Sequence, residues 1–375
     1  QRGKYQGIMG AVFGVSSIAG PLFGGWVTDN FGWRWLFYLT LPLGVLALAF
    51  LAKFMNLPHH AKAGNFDLIG ALTLTPGLVV GLLAVSWGGN TYDWDSAVII
   101  TMLIVAAIFI AAFVFVEMRA KNPLIPLRML GDSRVSLSVI ASFGVAVAMF
   151  GSIIYIPVFA QGVLGVSATN SGAILIPLNL AMIITSILMG LMITRWGRYK
   201  GLLILGGVIM SIGYVLLAGL DWQSSQLHLT LVMVVIGIGL GMCMQTYTLI
   251  VQNAVPREEL GVATSAVQFF RNVGSTIGTA VLGSVMSSNL MPKIQAQLPP
   301  EAMAAMKHFG DEGGAGASAA LDPSKIAALP APIAEAIRHG MGDAMQLVFM
   351  TAAPFAIAAL LVSLFIRNTE LRSTN

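Results

Sequence analysis

The sequence has 375 residues, of which 57% are hydrophobic and only 10% are charged, and its mean hydropathy is +0.83. These residues provide too little polar surface to cover a soluble globule of this length, so the composition predicts a protein of the lipid bilayer. The 20 Lys and Arg residues only slightly exceed the 16 Asp and Glu residues, which does not indicate a nucleic-acid-binding protein. The single cysteine, Cys243, leaves no intrachain disulfide and no cysteine-based metal site.

The first apolar run has no small-residue cleavage site after it, so we expect no signal peptide. We interpret the chain as a fragment that lacks the true start of its protein. A helix needs about 20 apolar residues to cross the hydrocarbon core. Ten segments meet this requirement and predict an all-α, polytopic membrane protein, with spans at residues 8–28, 33–52, 67–87, 96–116, 135–160, 171–193, 201–220, 228–250, 262–286 and 344–366.

Most connectors between these spans are short, but two are long. Residues 117–134, EMRAKNPLIPLRMLGDSR, contain two prolines and four basic residues, and we predict that they separate two helical bundles. Residues 287–343 are rich in Ala, Gly and Pro and are predicted to form a flexible loop. Within this loop, PPEAMAAMKHF (299–309) and PAPIAEAIRHGM (330–341) are candidates for short amphipathic helices, with passive loop as the alternative.

The distribution of Lys and Arg predicts the orientation of the spans, because loops rich in these residues stay in the cytoplasm. With the start of the chain in the cytoplasm, fourteen of the 20 basic residues fall in cytoplasmic loops. We therefore expect both chain ends to be cytoplasmic, in the cytoplasmic (inner) membrane of a bacterium, and the loop 287–343 to be extracytoplasmic.

Small residues follow one face of the first predicted helix. They stand at helical spacing and are Gly10, Gly14, Ser17, Pro21, Gly24 and Thr28. Helices in lipid associate by close packing, so this smooth face predicts a contact with another helix, and Pro21 predicts a bend. The alternative is ordinary small-residue packing without a mechanistic role.

The complete pattern is more specific than its spacing alone. Its order is G-x3-G-x5-G-P-x2-G-G, followed by DNFGWRWLFYLTLPLG, and its members are Gly10, Gly14, Gly20, Pro21, Gly24 and Gly25. This stretch resembles the antiporter motif in the fifth helix, and the start of the sixth, of drug:proton antiporters of the major facilitator superfamily. PLIPLRML (123–130), GLMITRWGRYKG (190–201) and residues 239–283 resemble the 14-helix EmrB/QacA-type branch of that superfamily.

The resemblance implies the major facilitator fold, in which two six-helix bundles surround a cavity at the bilayer midplane. The ten predicted spans would be the last ten of an expected fourteen. The implied organisation is the last two helices of the N-terminal bundle (1–55), two extra central helices (56–116), a cytoplasmic linker (117–134), the C-terminal six-helix bundle (135–366) and a cytoplasmic tail (367–375).

Polar side chains at membrane depth are the first candidates for a transport site, because they cost free energy there unless they are paired or hydrated. Arg271 lies about ten residues, or roughly 15 Å, into the ninth predicted span. Gln268 and Asn272 lie beside it in the sequence. We expect Arg271 to line the cavity and to bind an anion, a substrate group or a proton-exchanging carboxylate. The alternatives are that it snorkels to the headgroups or forms a structural pair.

Four further residues are weaker candidates for the cavity. Gln245 lies on a polar stripe of the eighth span, and Asn179 follows Pro177, where it either faces the cavity or repairs the backbone bond that proline removes. Phe150 and Tyr155 are candidates for a pliable apolar pocket, with ordinary packing as the alternative.

Ionisable residues are sparse within the predicted spans, and none of them holds a deep Asp or Glu. Asp67 and Asp343 are predicted to cap the third and tenth helices. A proton-exchanging carboxylate would therefore lie at a helix edge or, as we favour, in helices that precede this sequence. By the resemblance, the loop containing Arg195, Arg198 and Lys200 latches the cytoplasmic side; the alternative is that it only sets topology.

The function that best fits these features is proton-coupled efflux of drugs or other amphiphilic small molecules. The expected partners are the substrate, protons and the lipid bilayer, and the need for a periplasmic adaptor is left open. The sequence has no Walker loop, and no two histidines within a span have the spacing of metal ligands. We therefore expect neither an enzyme nor a cofactor. The alternatives are a transporter of one specific metabolite and a receptor or scaffold without transport.

Overall fold

A computed structural model describes residues 2–55, 67–89, 91–120, 123–166, 174–298 and 331–368. The described chain folds into ten long α-helices, a four-residue α-helix, α5, and a short 3-10 helix at Arg257–Glu259. In chain order the helices are α1 (Arg2–Phe31), α2 (Arg34–Phe54), α3 (Leu68–Trp87), α4 (Ala97–Glu117), α5 (Leu127–Leu130), α6 (Ser133–Gly162), α7 (Ile176–Trp196), α8 (Lys200–Ala218), α9 (Gln226–Ala254), α10 (Leu260–Gln297) and α11 (Ala331–Leu364).

The protein is a multi-pass membrane protein. Among the described helices, eight are long and apolar enough to cross a membrane by length and composition, namely α2, α3, α4, α6, α7, α8, α9 and α11. The two other long helices are α1 and α10, of which α10 carries Arg271 and several polar side chains. A helix therefore stands at each of the ten predicted spans, and eight of these helices are candidate spans.

The helix ends differ from the prediction most around the long loop. Helix α10 continues to Gln297, and α11 begins at Ala331. The two extensions pack closely, since a Cβ on Gly340 would lie 2.5 Å from the Ile294 Cα. Residues 331–341 of the second amphipathic segment thus belong to α11 and are not a separate helix. The segment 299–309 lies outside the described residues.

This longer helix corrects the prediction for Asp343. The residue is not an N-terminal cap, because it lies twelve residues after Ala331, inside α11. Its carboxylate instead accepts a hydrogen bond from Gln297 Nε2 at 3.4 Å and lies 3.9 Å from His339 Nε2. The prediction for Asp67 is confirmed, because its side chain accepts from the Gly70 N–H at 2.8 Å at the start of α3.

Helices α6 to α11 enclose one hydrophobic core. Large side chains at its centre are fully buried, among them Phe159 and Phe349, whose rings meet edge to face with centroids 6.0 Å apart. Glycines bring the helices close, since a Cβ on Gly239 of α9 would lie 2.5 Å from the Met210 backbone nitrogen of α8. Such close approach is how helices associate in lipid, where hydrophobic burial gives no drive.

A second, smaller core closes one end of this bundle. It joins Met129 of α5, Val135 and Val139 of α6, Val251 and Val255 at the end of α9, and Ala263, Ala266 and Val267 of α10. We call this the basic end of the bundle, because Arg134, Arg198 and Arg367 also lie here, at the ends of α6, α7 and α11. The opposite end carries Trp222, whose ring centroid lies 4.8 Å from that of His339.

The remaining long helices lie outside this bundle. Helices α3 and α4 pack mainly on each other, and α3 also contacts α10. Helix α1 packs along α7, whereas α2 has no buried residue. The tight turn between α1 and α2 depends on Gly32, whose φ of 85° lies in the left-handed region that favours glycine.

Candidate functional site

Helix α10 presents two distinct faces near its middle. Arg271 lies on the face that packs into the bundle and is 9% exposed. Ser265, Gln268, Asn272 and Thr276 follow the adjacent face and are exposed. The helical repeat separates the two sets, because residue 271 points about 100° away from residue 272. The structure therefore does not bring Arg271 together with Gln268 and Asn272 at one point.

The Arg271 guanidinium is held by the neighbouring helices α9 and α6. Its Nη2 donates to the Met244 carbonyl oxygen at 3.0 Å, and its Nε donates to Ser142 Oγ at 3.5 Å. The side chain therefore points between helices and does not snorkel along α10 to a headgroup. In the described part of the chain, no carboxylate forms an ion pair with it.

A buried guanidinium in this position has unused donors. Arginine carries five N–H groups, and the two hydrogen bonds leave three of them available. A buried cation without a counter-ion is costly and is generally paired or close to water. The arrangement can therefore accept an anionic group from a substrate or from another part of the protein.

Three other predicted cavity residues lie on α9 and α6, the two helices that hold this guanidinium. Gln245 directly follows Met244 and is half-buried on α9. Tyr155 on α6 is half-buried. A Cβ atom built on Gly283 of α10 would lie 3.2 Å from its hydroxyl oxygen. Phe150, also on α6, is half-buried and packs against the edge of the core. These side chains occupy the same helices as Arg271 and its partners.

Asn179 is buried, and its Nδ2 donates to the Leu175 carbonyl oxygen at 3.0 Å. The interpretation that it repairs a gap left by Pro177 is not supported by this geometry. Pro177 lies in the first turn of α7, where a backbone N–H would have no partner within the helix, and the Leu175 carbonyl already accepts the Asn179 N–H at 3.0 Å. The Asn179 amide therefore gives the Leu175 carbonyl oxygen a second hydrogen bond and caps no free backbone N–H.

The predicted basic loop joins α7 to α8 at the basic end. Gly197 makes the turn with a φ of 66°, which places Arg195 and Arg198 in exposed positions and Lys200 in a half-buried one. The buried Tyr199 ties this loop to the end of α11 by donating its hydroxyl to the Arg367 carbonyl oxygen at 3.2 Å. Within the residues that the structure covers, no carboxylate forms an ion pair with these three basic side chains.

The antiporter-motif positions lie on α1, which packs along α7. A Cβ on Gly20 would meet nothing within 4 Å, and a Cβ on Gly24 would meet only Leu36 Cδ2 at 3.8 Å. The predicted close helix contact is therefore not made at Gly24, the member of the predicted contact face among these two glycines, within the described chain. The surroundings of Gly10, Gly14, Pro21 and Gly25 lie outside what the structure describes.

Several polar contacts at the basic end were not predicted from the sequence. Arg128 Nη2 lies 2.9 Å from Glu259 Oε1, and Asp132 forms an ion pair with Arg134. The hydrogen bond from Arg134 holds the pKa of the Asp132 carboxyl below its ordinary value. Asp132 also accepts the Arg134 backbone N–H at 2.8 Å and so caps α6. An Asp directly before an apolar run is the signal that would have predicted this cap.

The carboxyl group of Glu117, at the edge of the fourth predicted span, is buried. It ends α4, accepts a hydrogen bond from the Ile125 N–H in the linker, and lies beside Asp67. Among the described residues, no group of three His, Cys, Asp or Glu side chains is arranged to hold a metal ion.

Comparison with known proteins places these features in a family. The sequence profile of the Major Facilitator Superfamily matches residues 1–74 and 68–279. The chain is 36% identical over 387 residues to "Multidrug transporter protein MdtP" of Bacillus subtilis, covering 99% of this chain and 71% of that protein. It is 31% identical over 381 residues to "Multidrug resistance protein 3" of the same organism, covering 100% of this chain and 73% of that protein.

A third relative is an uncharacterized MFS-type transporter of Mycobacterium tuberculosis. It is 34% identical over 370 residues, which are 99% of this chain and 52% of that protein. The chain thus spans between about half and three-quarters of the length of these three relatives.

Proposed function

The chain belongs to the Major Facilitator Superfamily, and we propose that it is part of a proton-coupled secondary transporter that exports drugs or other amphiphilic small molecules. Two of the relatives described above are named for multidrug transport or resistance and cover nearly all of this chain. The observation that carries the proposal is the exposed polar face of α10, formed by Ser265, Gln268, Asn272 and Thr276.

This polar face argues for a transport pathway on physical grounds. A helix face in contact with lipid tails is apolar, because an unsatisfied polar group in hydrocarbon costs several kcal/mol. The face of α10 is polar over about three turns, so it faces water or another part of the protein. In a transporter of this superfamily, the substrate cavity provides such a surface between the two bundles.

The roles of the predicted residues follow from this arrangement. Gln268 and Asn272 contact the substrate or its water, and Arg271 sits behind them, where its free N–H donors attract an anionic group. Phe150 and Tyr155 provide apolar contact area, with Gln245 between the polar and apolar parts. Met and aromatic side chains can re-pack around different ligands, which suits a broad substrate range.

We further propose that the ten long helices are the later part of a 14-helix carrier of the EmrB/QacA type. The packing of α3 mainly on α4, outside the core of α6 to α11, supports their assignment as the two extra central helices. The exposed surface of α2 and of Gly20 supports a first bundle that covers α1 and α2 in the whole protein. In this proposal the basic end faces the bacterial cytoplasm, and Arg195, Arg198 and Lys200 contribute to its latch.

The proposal is tested with the complete gene product in an efflux-deficient bacterium. Accumulation of a cationic dye is followed with and without the protein, and again after a protonophore is added. We expect the protein to lower dye accumulation and the protonophore to abolish that effect. Equal accumulation with and without the protein would contradict drug export, and export that resists the protonophore would contradict proton coupling.

A variant tests the polar face directly. The double change Gln268→Leu and Asn272→Leu should abolish dye export while leaving the protein in the membrane at its normal level. Thr101→Val is the matched control, because Thr101 is also an exposed polar residue on a membrane helix but lies on α4, away from the proposed cavity. Unchanged export in the double variant would remove the polar face from the proposed pathway.

A further inference from the structure

Two carboxyl groups meet at the basic end of the α3–α4 pair. Asp67 stands directly before α3, and its Oδ1 accepts the Gly70 N–H at 2.8 Å. Glu117 is the last residue of α4, and its Oε1 accepts the Ile125 N–H of the linker. Each carboxyl group therefore has one oxygen committed to a backbone amide.

The second oxygens of the two groups have no such partner. Asp67 Oδ2 and Glu117 Oε2 are both buried, and in the described chain neither accepts a hydrogen bond. The Glu117 side chain as a whole is only 3% exposed. The two carboxyl groups lie within hydrogen-bonding reach of each other. A nearly fully buried carboxyl group with an unpartnered oxygen thus lies close to a second carboxyl group that also has an unpartnered oxygen.

Glycine at position 70 permits this approach. A Cβ there would lie 2.8 Å from the Asp67 Cγ, closer than side-chain carbons normally come. Gly70 is itself buried. The Asp67 carboxyl group can therefore lie flat on the first turn of α3.

The charged groups on the surrounding elements have other partners. The Arg119 guanidinium is exposed and lies 3.6 Å from the centroid of the Phe115 ring. Arg128 pairs with Glu259, and Arg271 of α10 donates to the Met244 carbonyl oxygen. Over the described ranges, no Lys, Arg or His forms an ion pair with Asp67 or Glu117. Among the described residues, no cation is thus in place to neutralise two carboxylates.

Elementary electrostatics then decides the state of the pair. Two carboxylates in contact repel each other, and their buried oxygens would both lack a donor. One proton removes the repulsion and turns one carboxyl group into a donor for the other. Pairs of carboxyl groups that share one proton are a known solution to this geometry.

We propose that Asp67 and Glu117 together bind a single proton, and that this proton fastens the linker at Ile125 to the ends of α3 and α4. Loss of the proton separates the two carboxylates and loosens the hold of Glu117 on the linker before α5 and α6. A role of this pair in transport rests on the proposed proton coupling, because the pair would be a proton site of the coupled transporter. The proton site itself is independent of the substrate.

Infrared spectroscopy of the purified full-length protein in lipid nanodiscs tests the proton site. We expect a band of a protonated carboxyl group at neutral pH that disappears on titration to alkaline pH. Glu117→Gln and Asp67→Asn should each remove this band. Both amides retain an oxygen for the backbone bond and supply an N–H for the partner carboxylate, so they imitate the protonated pair and preserve the fold.

Asp93→Asn is the matched control, because Asp93 is exposed at the other end of the α3–α4 pair. The protonated-carboxyl band of Asp93→Asn should equal that of the unmodified protein. A wild-type protein without the band, or a Glu117→Gln variant that retains it, would overturn the shared proton. These spectra need no substrate, so a protein that keeps the band but exports no dye would contradict the proposed function and leave the proton site intact.

A second measurement tests the link to coupling. Dye export by the full-length protein is recorded over a range of external and internal pH. Loss of the pH dependence in Glu117→Gln, with Asp93→Asn unchanged, would support a role of the pair in coupling. An unchanged pH profile in Glu117→Gln, in a protein that exports dye, would exclude that role.

Discussion

The guanidinium group of Arg271 donates from Nη2 to the carbonyl oxygen of Met244 at 3.0 Å, across the interface between α10 and α9. This hydrogen bond fixes the depth of the cation in the bundle and aims it away from the ends of its own helix. It also leaves the neighbouring polar face of α10 free to contact water or substrate. The bundle therefore holds a cation behind a polar surface, as an anion-attracting site would require.

The first prediction concerns this cation. Arg271→Ala should lower dye export by the full-length protein by about tenfold or more, because hydrogen bonds of a charged group are worth about 1.5–3 kcal/mol. Arg271→Lys should retain part of the activity, since it keeps the charge but offers fewer donors in a different geometry. Export is measured together with the amount of protein at the cell surface.

The control for this prediction is Arg34→Ala. Arg34 is exposed and stacks on Trp33, with its Cζ 4.9 Å from the ring centroid. Its removal should leave dye export within about twofold of the unmodified protein, as surface substitutions usually do. Normal export by Arg271→Ala at a normal surface level would show that Arg271 only holds helices together.

The second prediction concerns helix packing. Gly239→Ala should destabilise the protein by about 1–3 kcal/mol, the usual cost of overpacking, because its Cβ would lie 2.5 Å from the Met210 backbone nitrogen. Gly261→Ala is the matched control on a helix, since a Cβ there meets nothing within 4 Å. That change should be neutral or stabilising by up to about 1 kcal/mol.

Thermal unfolding of the purified full-length protein measures both variants. The Tm of Gly239→Ala should fall below that of Gly261→Ala. Equal Tm values would mean that α8 and α9 are not in the close contact that the structure shows.

Hydropathy predicted the positions of the helices well because the bilayer imposes one length on every span. It failed at the long loop for a physical reason. Residues 331–343 of α11 carry Glu335, Arg338, His339 and Asp343, so they read as a polar connector. They are helical because they pack on the extension of α10, where Gly340 meets Ile294. Periodicity within one segment cannot reveal a partner that lies about 46 residues earlier.

The candidate site shows a similar division between local and distant information. The sequence identified Arg271, Gln268 and Asn272 as unusual residues at membrane depth, and α10 does carry all three. It did not separate the buried Arg271 from its exposed neighbours, because that depends on which face meets α6 and α9. Nor did it pair Asp67 with Glu117, which are fifty residues apart and meet only because α3 and α4 form a hairpin.

The third prediction concerns pH. The hydrogen bond from Arg134 lowers the pKa of Asp132 below its ordinary value of 3.8. A carboxyl group with a depressed folded-state pKa stabilises the fold above its unfolded-state value and loses that contribution as the pH falls through the folded-state value. The ion pair should therefore stabilise the protein at neutral pH and not in strong acid.

Two variants separate the charge of Asp132 from its role as a helix cap. Asp132→Asn keeps the cap of α6 and should lower stability at neutral pH by about 0.5–1 kcal/mol, as for other partly exposed pairs. Asp132→Ala also removes the cap and should cost about 1 kcal/mol more. Unfolding at neutral and acidic pH measures both, and the difference between Asp132→Asn and the unmodified protein should vanish in acid. A difference that persists in acid would contradict the ion-pair explanation.

The last prediction concerns the orientation of the bundle, which cysteine labelling can measure without interference from the native thiol. Cys243 is the only cysteine in the sequence and is fully buried, so thiol reagents should not react with it in the folded protein. Arg198→Cys places a thiol in the loop between α7 and α8 at the basic end, and Gln223→Cys places one between α8 and α9 at the opposite end. Both native residues are exposed.

With the basic end in the cytoplasm, a membrane-impermeant maleimide should label Gln223→Cys in intact cells of a strain that makes the full-length protein. The same reagent should label Arg198→Cys only after the membrane has been permeabilised, and the unmodified protein should stay unlabelled in both conditions. Labelling of Arg198→Cys in intact cells would place the basic end outside. The positive charges of this end would then oppose the usual distribution of Lys and Arg, and the direction of export would have to be reversed.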